Sequence, residues 1–102
     1  MTRHRAARAA DVPPDSVLRI DAGGVPVCLV HAEDGGFYAI GDVCTHEEYL
    51  LSNGELWGMQ VECPQHGSRF DVRTGAVTGL PAVVPAQTFP VTVEDGEVYV
   101  DV

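Results

Sequence analysis

The sequence predicts an all-β protein, because short apolar stretches alternate with glycine-containing turns along most of the chain. The apolar stretches are rich in β-branched and aromatic residues, and the intervening glycines supply the positive φ that hairpin loops need. No window of helical length shows an apolar period of 3.6 residues. A chain of 102 residues has room for one hydrophobic core, so we expect a single domain over residues 1–102.

The apolar stretches predict six strands in chain order, at residues 16–21, 25–31, 37–41, 60–63, 89–94 and 97–101. Three glycine-containing turns connect neighbouring strands, at residues 22–24, 33–36 and 94–96. In the last hairpin, the four valines at 91, 93, 98 and 100 alternate with other residues, which predicts one buried face. The first ten residues are expected to form an edge strand or a partly disordered segment.

The charge of the chain limits its partners. The net charge is −9, there is no lysine, and three of the six arginines lie in the first eight residues. This field disfavours nucleic acid and anionic lipid and favours a basic protein surface, although a role in solubility alone explains it equally well. No membrane span and no secretory signal is predicted, so we expect a cytoplasmic protein.

Two cysteine–histidine pairs are the main indication of function. They are Cys44-Thr45-His46 and Cys63-Pro64-Gln65-His66, separated by the sixteen residues 47–62. Thiolate and imidazole ligands bind both zinc and iron–sulfur clusters, so the residue types leave both open. Structural zinc sites usually group like ligands on one loop, whereas each loop here carries one cysteine and one histidine. This mixed pairing favours a two-iron cluster held between two loops.

The two loops resemble the ligand boxes of a known family. CTH followed by CPQHGSRFDVRTG is similar to the boxes of Rieske [2Fe–2S] proteins, and the resemblance continues through LSNGE, VECP, LPAVVP and VTVEDGEVYV, over residues 16–102. It is strongest to the small Rieske ferredoxins of bacterial aromatic-ring-hydroxylating dioxygenase systems. The resemblance implies the Rieske fold, an antiparallel β-sandwich with a small inserted cluster-binding subdomain at about residues 42–85.

The resemblance also implies the ligands of one Rieske-type [2Fe–2S] cluster. Cys44 and Cys63 would bind one iron, and His46 and His66 would bind the other. Two neutral imidazoles make the site less negative than four thiolates would, which places the potential between roughly −150 and +300 mV. The loop that contains Pro81 would lie against the cluster and shield it from water.

Two further positions correspond to residues that surround the cluster in the family. Ser68 and Phe70 align with a serine and a tyrosine whose hydroxyls, in high-potential relatives, hydrogen-bond the cluster and a ligand sulfur. The chain lacks the additional cysteine that respiratory Rieske proteins carry in each loop, at Gln65 and among residues 47–49. This difference argues against a quinol-oxidising role at a membrane.

The implied function is that of a one-electron carrier in aromatic hydrocarbon catabolism. A ferredoxin reductase would reduce it and a terminal oxygenase would oxidise it, each through a transient contact with a monomer. The chain itself is not expected to be an enzyme, since only His4 and His31 remain for a mononuclear iron site. Two alternatives stay open: a Rieske small subunit of another oxidoreductase such as nitrite reductase, and a zinc-stabilised module without a redox role.

Several other residues carry expectations of their own. Cys28 is predicted to be buried as a small hydrophobe, and His31 to be a solvated surface residue. Trp57 is predicted to be partly buried between the two ligand boxes. The residues expected to face a partner protein are Tyr49 and Leu50 as apolar contacts and Glu47, Glu48 and Glu62 as acidic ones.

Overall fold

A computed structural model describes residues 2–45, 49–65, 67–80 and 82–102 and shows antiparallel sheets with almost no helix. Two short 3₁₀ turns, Ala9–Asp11 and Leu51–Asn53, are the only helical elements in these ranges. The strands are β1 Arg3–Arg8, β2 Ser16–Ala22, β3 Val25–His31, β4 Phe37–Gly41, β5 Glu55–Trp57, β6 Gln60–Glu62, β7 Arg69–Asp71, β8 Val77–Gly79, β9 Thr88–Phe89, β10 Val91–Glu94 and β11 Glu97–Asp101.

The strands form three sheets, in the orders β1-β11-β10, β2-β3-β4-β9 and β5-β6-β7-β8. Every pairing between named strands is antiparallel. The three predicted hairpin turns join β2 to β3, β3 to β4 and β10 to β11, as expected. The N-terminal segment forms an edge strand, because β1 pairs only with β11 in its sheet.

The β2-β3-β4-β9 sheet is buried on both faces, and β3 shows this most clearly. Val27 and Leu29 belong to one apolar core, which includes Val98 and Val100 of β11. The alternate residues Cys28 and Val30 belong to a second core on the opposite face. Because successive side chains of a strand point to opposite faces, an uninterrupted apolar run such as VPVCLV fits a strand covered on both sides.

The third sheet covers the second core and brings the two ligand boxes next to it. Val61 of β6, Phe70 of β7 and Val72 are buried there together with Cys44 and Cys63. This sheet runs from Glu55 to Gly79, within the region 42–85 that the sequence analysis assigns to cluster binding. Its strands β5, β7 and β8 were not predicted from the sequence.

One predicted strand, 89–94, is in fact two strands that belong to different sheets. Phe89 pairs with Ala39 of β4, whereas Val91 pairs with Val100 of β11. Pro90 lies between them and has no N–H to donate to a ladder, so the chain changes sheets at that residue. The predicted buried face of the last hairpin is correct for Val98 and Val100 but wrong for Val93, which is 47% exposed on the edge strand β10.

Among the described residues, the structure contains no helix with the length and apolar character to span a bilayer.

Candidate metal centre

The two cysteines of the ligand boxes are held in the same way by backbone hydrogen bonds. The Cys44 N–H donates to the Tyr49 carbonyl at 2.8 Å, and the Cys63 N–H donates to the Ser68 carbonyl at 2.7 Å. Each bond runs from the cysteine to the residue five positions later, so it closes a short loop that includes the histidine in sequence. Cys44 and Cys63 are both buried and belong to the same core.

The remaining two predicted ligands lie outside the described residues. His46 and His66 belong to the gaps at 46–48 and 66, and Pro81 is also outside the described ranges. The predicted acidic contacts Glu47 and Glu48 fall in the first gap. Their roles therefore stay predictions.

The segment 82–86 contacts both ligand boxes. The Thr45 hydroxyl donates to the Val84 carbonyl at 2.6 Å, which connects this segment to the first box. The Ala82 N–H donates to the Ser68 hydroxyl oxygen at 3.1 Å, which connects it to the second box. The residues that follow Pro81 thus bridge the two boxes, which agrees with the position that the resemblance implies for this loop.

Ser68 and Phe70 are fully buried beside the second box. Ser68 links two segments, since its carbonyl accepts from Cys63 and its side-chain oxygen accepts from Ala82. A hydroxyl can donate one hydrogen bond in addition to those it accepts. Phe70 packs in the same core as Cys44 and Cys63. An influence of either residue on the cluster remains a prediction.

Cys28 is buried in this core as predicted, and burial raises the pKa of its thiol far above the usual value, with the nearby Asp42 carboxylate raising it further. A cysteine that stays protonated is a poor metal ligand. Asp42 was not predicted to be a residue of the site. The sequence indicates it only by its position two residues before Cys44, in the otherwise uncharged stretch Ile40-Gly41-Asp42-Val43.

Trp57 is half exposed, and its ring lies 5.4 Å from the guanidinium carbon of Arg69. Its packing between the two boxes stays a prediction. The prediction for His31 was wrong. His31 is half-buried and stacks on Phe37 with the ring centroids 4.1 Å apart, while its Nδ1 lies 2.8 Å from the Val12 carbonyl oxygen. Trp57 thus has a neighbour twelve positions away, and His31 has one on the next strand and one nineteen positions away.

Exposed apolar side chains are concentrated on the segments that flank the two boxes. Tyr49, predicted as a contact residue, is 43% exposed, and Leu80 and Val83 are each 76% exposed. We call the large apolar residues that are exposed within the described parts of these segments the apolar rim: Val43, Tyr49, Leu80, Val83 and Val84. Glu62 lies close to this region but is paired with Arg69 at 2.8 Å.

The fold and the two cysteine loops agree with a comparison to known families. Residues 2–90 match the model of the Rieske [2Fe–2S] domain. The chain belongs to this family. It therefore carries a Rieske-type [2Fe–2S] cluster, and the two buried cysteines in equivalent closed loops fit such a cluster because thiolates are iron–sulfur ligands. The predicted all-β Rieske fold is confirmed.

The Rieske chain is similar over almost its whole length to named ferredoxins. It is 42% identical over 102 residues to the 3-phenylpropionate/cinnamic acid dioxygenase ferredoxin subunit of Escherichia coli (strain K12), covering 99% of this chain and 94% of that protein. It is 40% identical over 93 residues to the ferredoxin component of the p-cumate 2,3-dioxygenase system of Pseudomonas putida, covering 90% and 79%.

A solved structure of a protein complex contains a similar chain. The structure is a complex of reduced oxygenase and oxidized ferredoxin in carbazole 1,9a-dioxygenase, and the match has a TM-score of 0.91 at 39% identity, covering 96% of this chain and 100% of that one. A putative nitrite reductase small subunit has a TM-score of 0.85 at 23% identity, covering the whole of both chains, so it shares the fold alone.

Proposed function

We propose that this Rieske protein is the ferredoxin component of an aromatic-ring dioxygenase system and carries single electrons from a ferredoxin reductase to a terminal oxygenase. The observation that carries the proposal is the pair of buried cysteines in equivalent loops, with the exposed apolar rim on the segments next to them. The [2Fe–2S] cluster supplies one-electron redox chemistry. The oxygenation itself belongs to another polypeptide.

The proposed ligands are Cys44 and Cys63 for one iron and His46 and His66 for the other. The backbone closure of each loop supports this set, because a cysteine fixed at the base of a six-residue loop restricts where the histidine of that loop can lie. The segment 82–86 adds a third side through its bonds to Thr45 and Ser68. We propose that residues 42–85 form the cluster-binding subdomain.

The apolar rim is the proposed contact surface for both redox partners. Exposed apolar patches mark protein–protein contact sites, and a partner that covers the apolar rim would exclude water from the surface beside the redox centre. The net charge of −9 favours partners with a basic docking face and disfavours nucleic acid and anionic membranes. We propose a monomer that forms transient complexes in the cytoplasm.

A first experiment tests the cofactor and the carrier role together. We expect the purified protein to be a red-brown monomer that takes up one electron per chain and gives a rhombic EPR signal when reduced. A colourless zinc protein would contradict the redox role. Purification as a fixed stoichiometric complex with a reductase would contradict the shuttling role and favour a permanent subunit.

A second experiment tests the ligands. Cys44→Ala or Cys63→Ala should abolish the visible absorbance, since each removes a thiolate ligand. His46→Cys or His66→Cys, where the cluster still assembles, should lower the potential because a further thiolate adds negative charge. Cys28→Ala is the matched control and should retain the absorbance. Full absorbance in the Cys44 or Cys63 variant would refute the ligand set.

A further inference from the structure

Asp42 is fully buried and joins the two ends of the first ligand loop. Its Oδ1 accepts from the Ser52 N–H at 2.7 Å and its Oδ2 accepts from the Ser52 hydroxyl at 2.8 Å. Its backbone carbonyl accepts from the Leu51 N–H at 2.7 Å. Above these bonds, an isolated bridge pairs Val43 with Leu50, and the Cys44 N–H donates to Tyr49. Asp42 and Ser52 therefore form the base of the loop.

The Asp42 carboxylate is also a buried negative charge whose one ion pair within the described residues is weak. Its partner there is Arg19, whose Nε lies 3.8 Å from Oδ2 and whose side chain is 56% exposed. A pair at this distance with an exposed partner cancels little of the charge. Only Val43 lies between Asp42 and Cys44 in the chain, so their Cα atoms are at most about 7 Å apart. A buried anion at this range disfavours the arrival of an electron at the cluster.

We propose that Asp42 is a positioning residue for the Rieske cluster, which closes the first ligand loop through Ser52 and lowers the potential through its buried charge. The inference rests on the proposed role of Cys44 as a ligand. It assigns two separable tasks to one side chain. The hydrogen bonds keep Cys44 at the base of a closed loop, and the charge sets the cost of reduction.

Three variants separate these tasks. Asp42→Asn keeps the shape and an acceptor for the Ser52 N–H, and its amide can donate to the Ser52 hydroxyl oxygen, so the cluster should remain and the potential should rise. Ser52→Ala removes one hydrogen bond but keeps the charge, so cluster loss in a chelator should accelerate several-fold without a rise in potential. Asp42→Ala removes both and should lose the cluster fastest.

Asp34→Asn is the matched control, because Asp34 also accepts from one backbone N–H and one hydroxyl, those of Gly36 and Tyr38, at the opposite end of β4. The reduction potential of Asp34→Asn and its rate of absorbance loss should equal those of the wild type. The measurements are protein-film voltammetry and the decay of visible absorbance in a chelator, for variants that carry the cluster.

The proposal is overturned if Asp42→Asn has the wild-type potential, or if Ser52→Ala loses absorbance no faster than Asp34→Asn. Should Asp42→Ala yield no folded holoprotein, the other two variants decide the question. Failure of the proposed function looks different, because the wild type itself would then lack the [2Fe–2S] spectrum or would keep it after loss of Cys44.

Discussion

Ser68 connects the second ligand box to the segment that bridges both boxes, and this connection predicts two effects of its removal. In Ser68→Ala the buried Ala82 N–H loses its acceptor. We expect the free energy of unfolding to fall by about 1–3 kcal/mol, the usual cost of a buried unpaired donor. We also expect a lower potential, since a hydroxyl that donates to a sulfur stabilises the reduced state.

Chemical denaturation and voltammetry of the Ser68 variant test these effects separately. Ser16→Ala is the control, because Ser16 donates its hydroxyl to the Pro13 carbonyl at an exposed site. If Ser68→Ala loses stability but keeps the wild-type potential, Ser68 shapes the loop and does not influence the cluster.

Phe70 offers a test in the opposite direction. It is fully buried in the core that contains both ligand cysteines. In Phe70→Tyr the added hydroxyl enters a packed site, so we expect a loss of about 1–3 kcal/mol in stability from overpacking. We expect a higher potential where the new hydroxyl reaches the sulfur of Cys44 or Cys63, because a hydrogen bond to a ligand sulfur stabilises the reduced state. A potential equal to or below that of the wild type would contradict this expectation.

At the scale of elements, Gly54 allows the 3₁₀ turn Leu51–Asn53 to pass directly into β5 against β6. A Cβ at this position would overlap the backbone carbonyl oxygen of Glu62, the residue before Cys63. Backbone atoms cannot move aside as a flexible side chain can. We therefore expect Gly54→Ala to lower the free energy of unfolding by about 1–3 kcal/mol and to accelerate cluster loss.

Gly41→Ala is the matched control for this prediction. Gly41 lies at the end of β4, and a Cβ there would meet no atom within 4 Å. Replacing a glycine by alanine at an unstrained site reduces the entropy of the unfolded chain, so a neutral or slightly stabilising effect is expected. Thermal unfolding and the decay of visible absorbance compare the two variants. Equal behaviour would show that β5 and β6 can separate without cost.

The strands that were predictable from the sequence are those with enough residues to show a pattern. Val25–His31 and Glu97–Asp101 are long, apolar or alternating, and bounded by glycine turns, and the structure gives the same limits. Strands β5 to β8 have only three residues each, too few for a period to be recognised, and of these only β6 was predicted, at residues 60–63. Strands β5 and β7 pair with β6, β8 pairs in turn with β7, and the second core covers Val61 and Phe70.

In the candidate site, features that depend on neighbouring residues were predicted from the sequence, and features that depend on distant segments were not. The pairing of cysteine with histidine in each box is local and favoured a two-iron cluster, and the resemblance of the two boxes to a known family implied the family and the cofactor. The burial of Asp42 and the contacts of Thr45 and Ser68 with residues 82–86 depend on segments up to 39 positions apart. The contact of Trp57 with Arg69 likewise depends on the pairing of β5, β6 and β7, which the local sequence does not show.

At the scale of the whole molecule, the net charge of −9 predicts how electron transfer responds to salt. We expect the second-order rate constant with the terminal oxygenase to fall as ionic strength rises, since fields are screened over about 10 Å at 0.1 M. Stopped-flow measurements across a salt series test this. A rate constant that does not depend on salt would remove electrostatic steering from the proposed function.

Two carboxylates beside the second ligand box are candidates for the residues that steer the partner protein electrostatically. Glu55 and Glu62 face each other across β5 and β6 beside the second ligand box, and Glu62 is partly neutralised by Arg69. Glu55→Gln should therefore reduce both the rate constant at low salt and its salt dependence. Asp95→Asn, in the exposed turn between β10 and β11, makes the same change in net charge far from the ligand boxes in sequence and should have a smaller effect. Equal effects would indicate that only the total charge steers the encounter.

The sheet that is buried on both faces also has a consequence for how this protein can change over evolution. Along β3, the residues of the core that contains the ligand cysteines, Cys28 and Val30, alternate with Val27 and Leu29 of the other core. The strand therefore tolerates few substitutions on either face. The core formed with Val98 and Val100 includes neither ligand cysteine. Substitutions in the ligand loops and the apolar rim can thus adapt the protein to a new redox partner while the core that contains Val98 and Val100 stays unchanged. The surface that binds partners can diverge separately from the core that stabilises the fold.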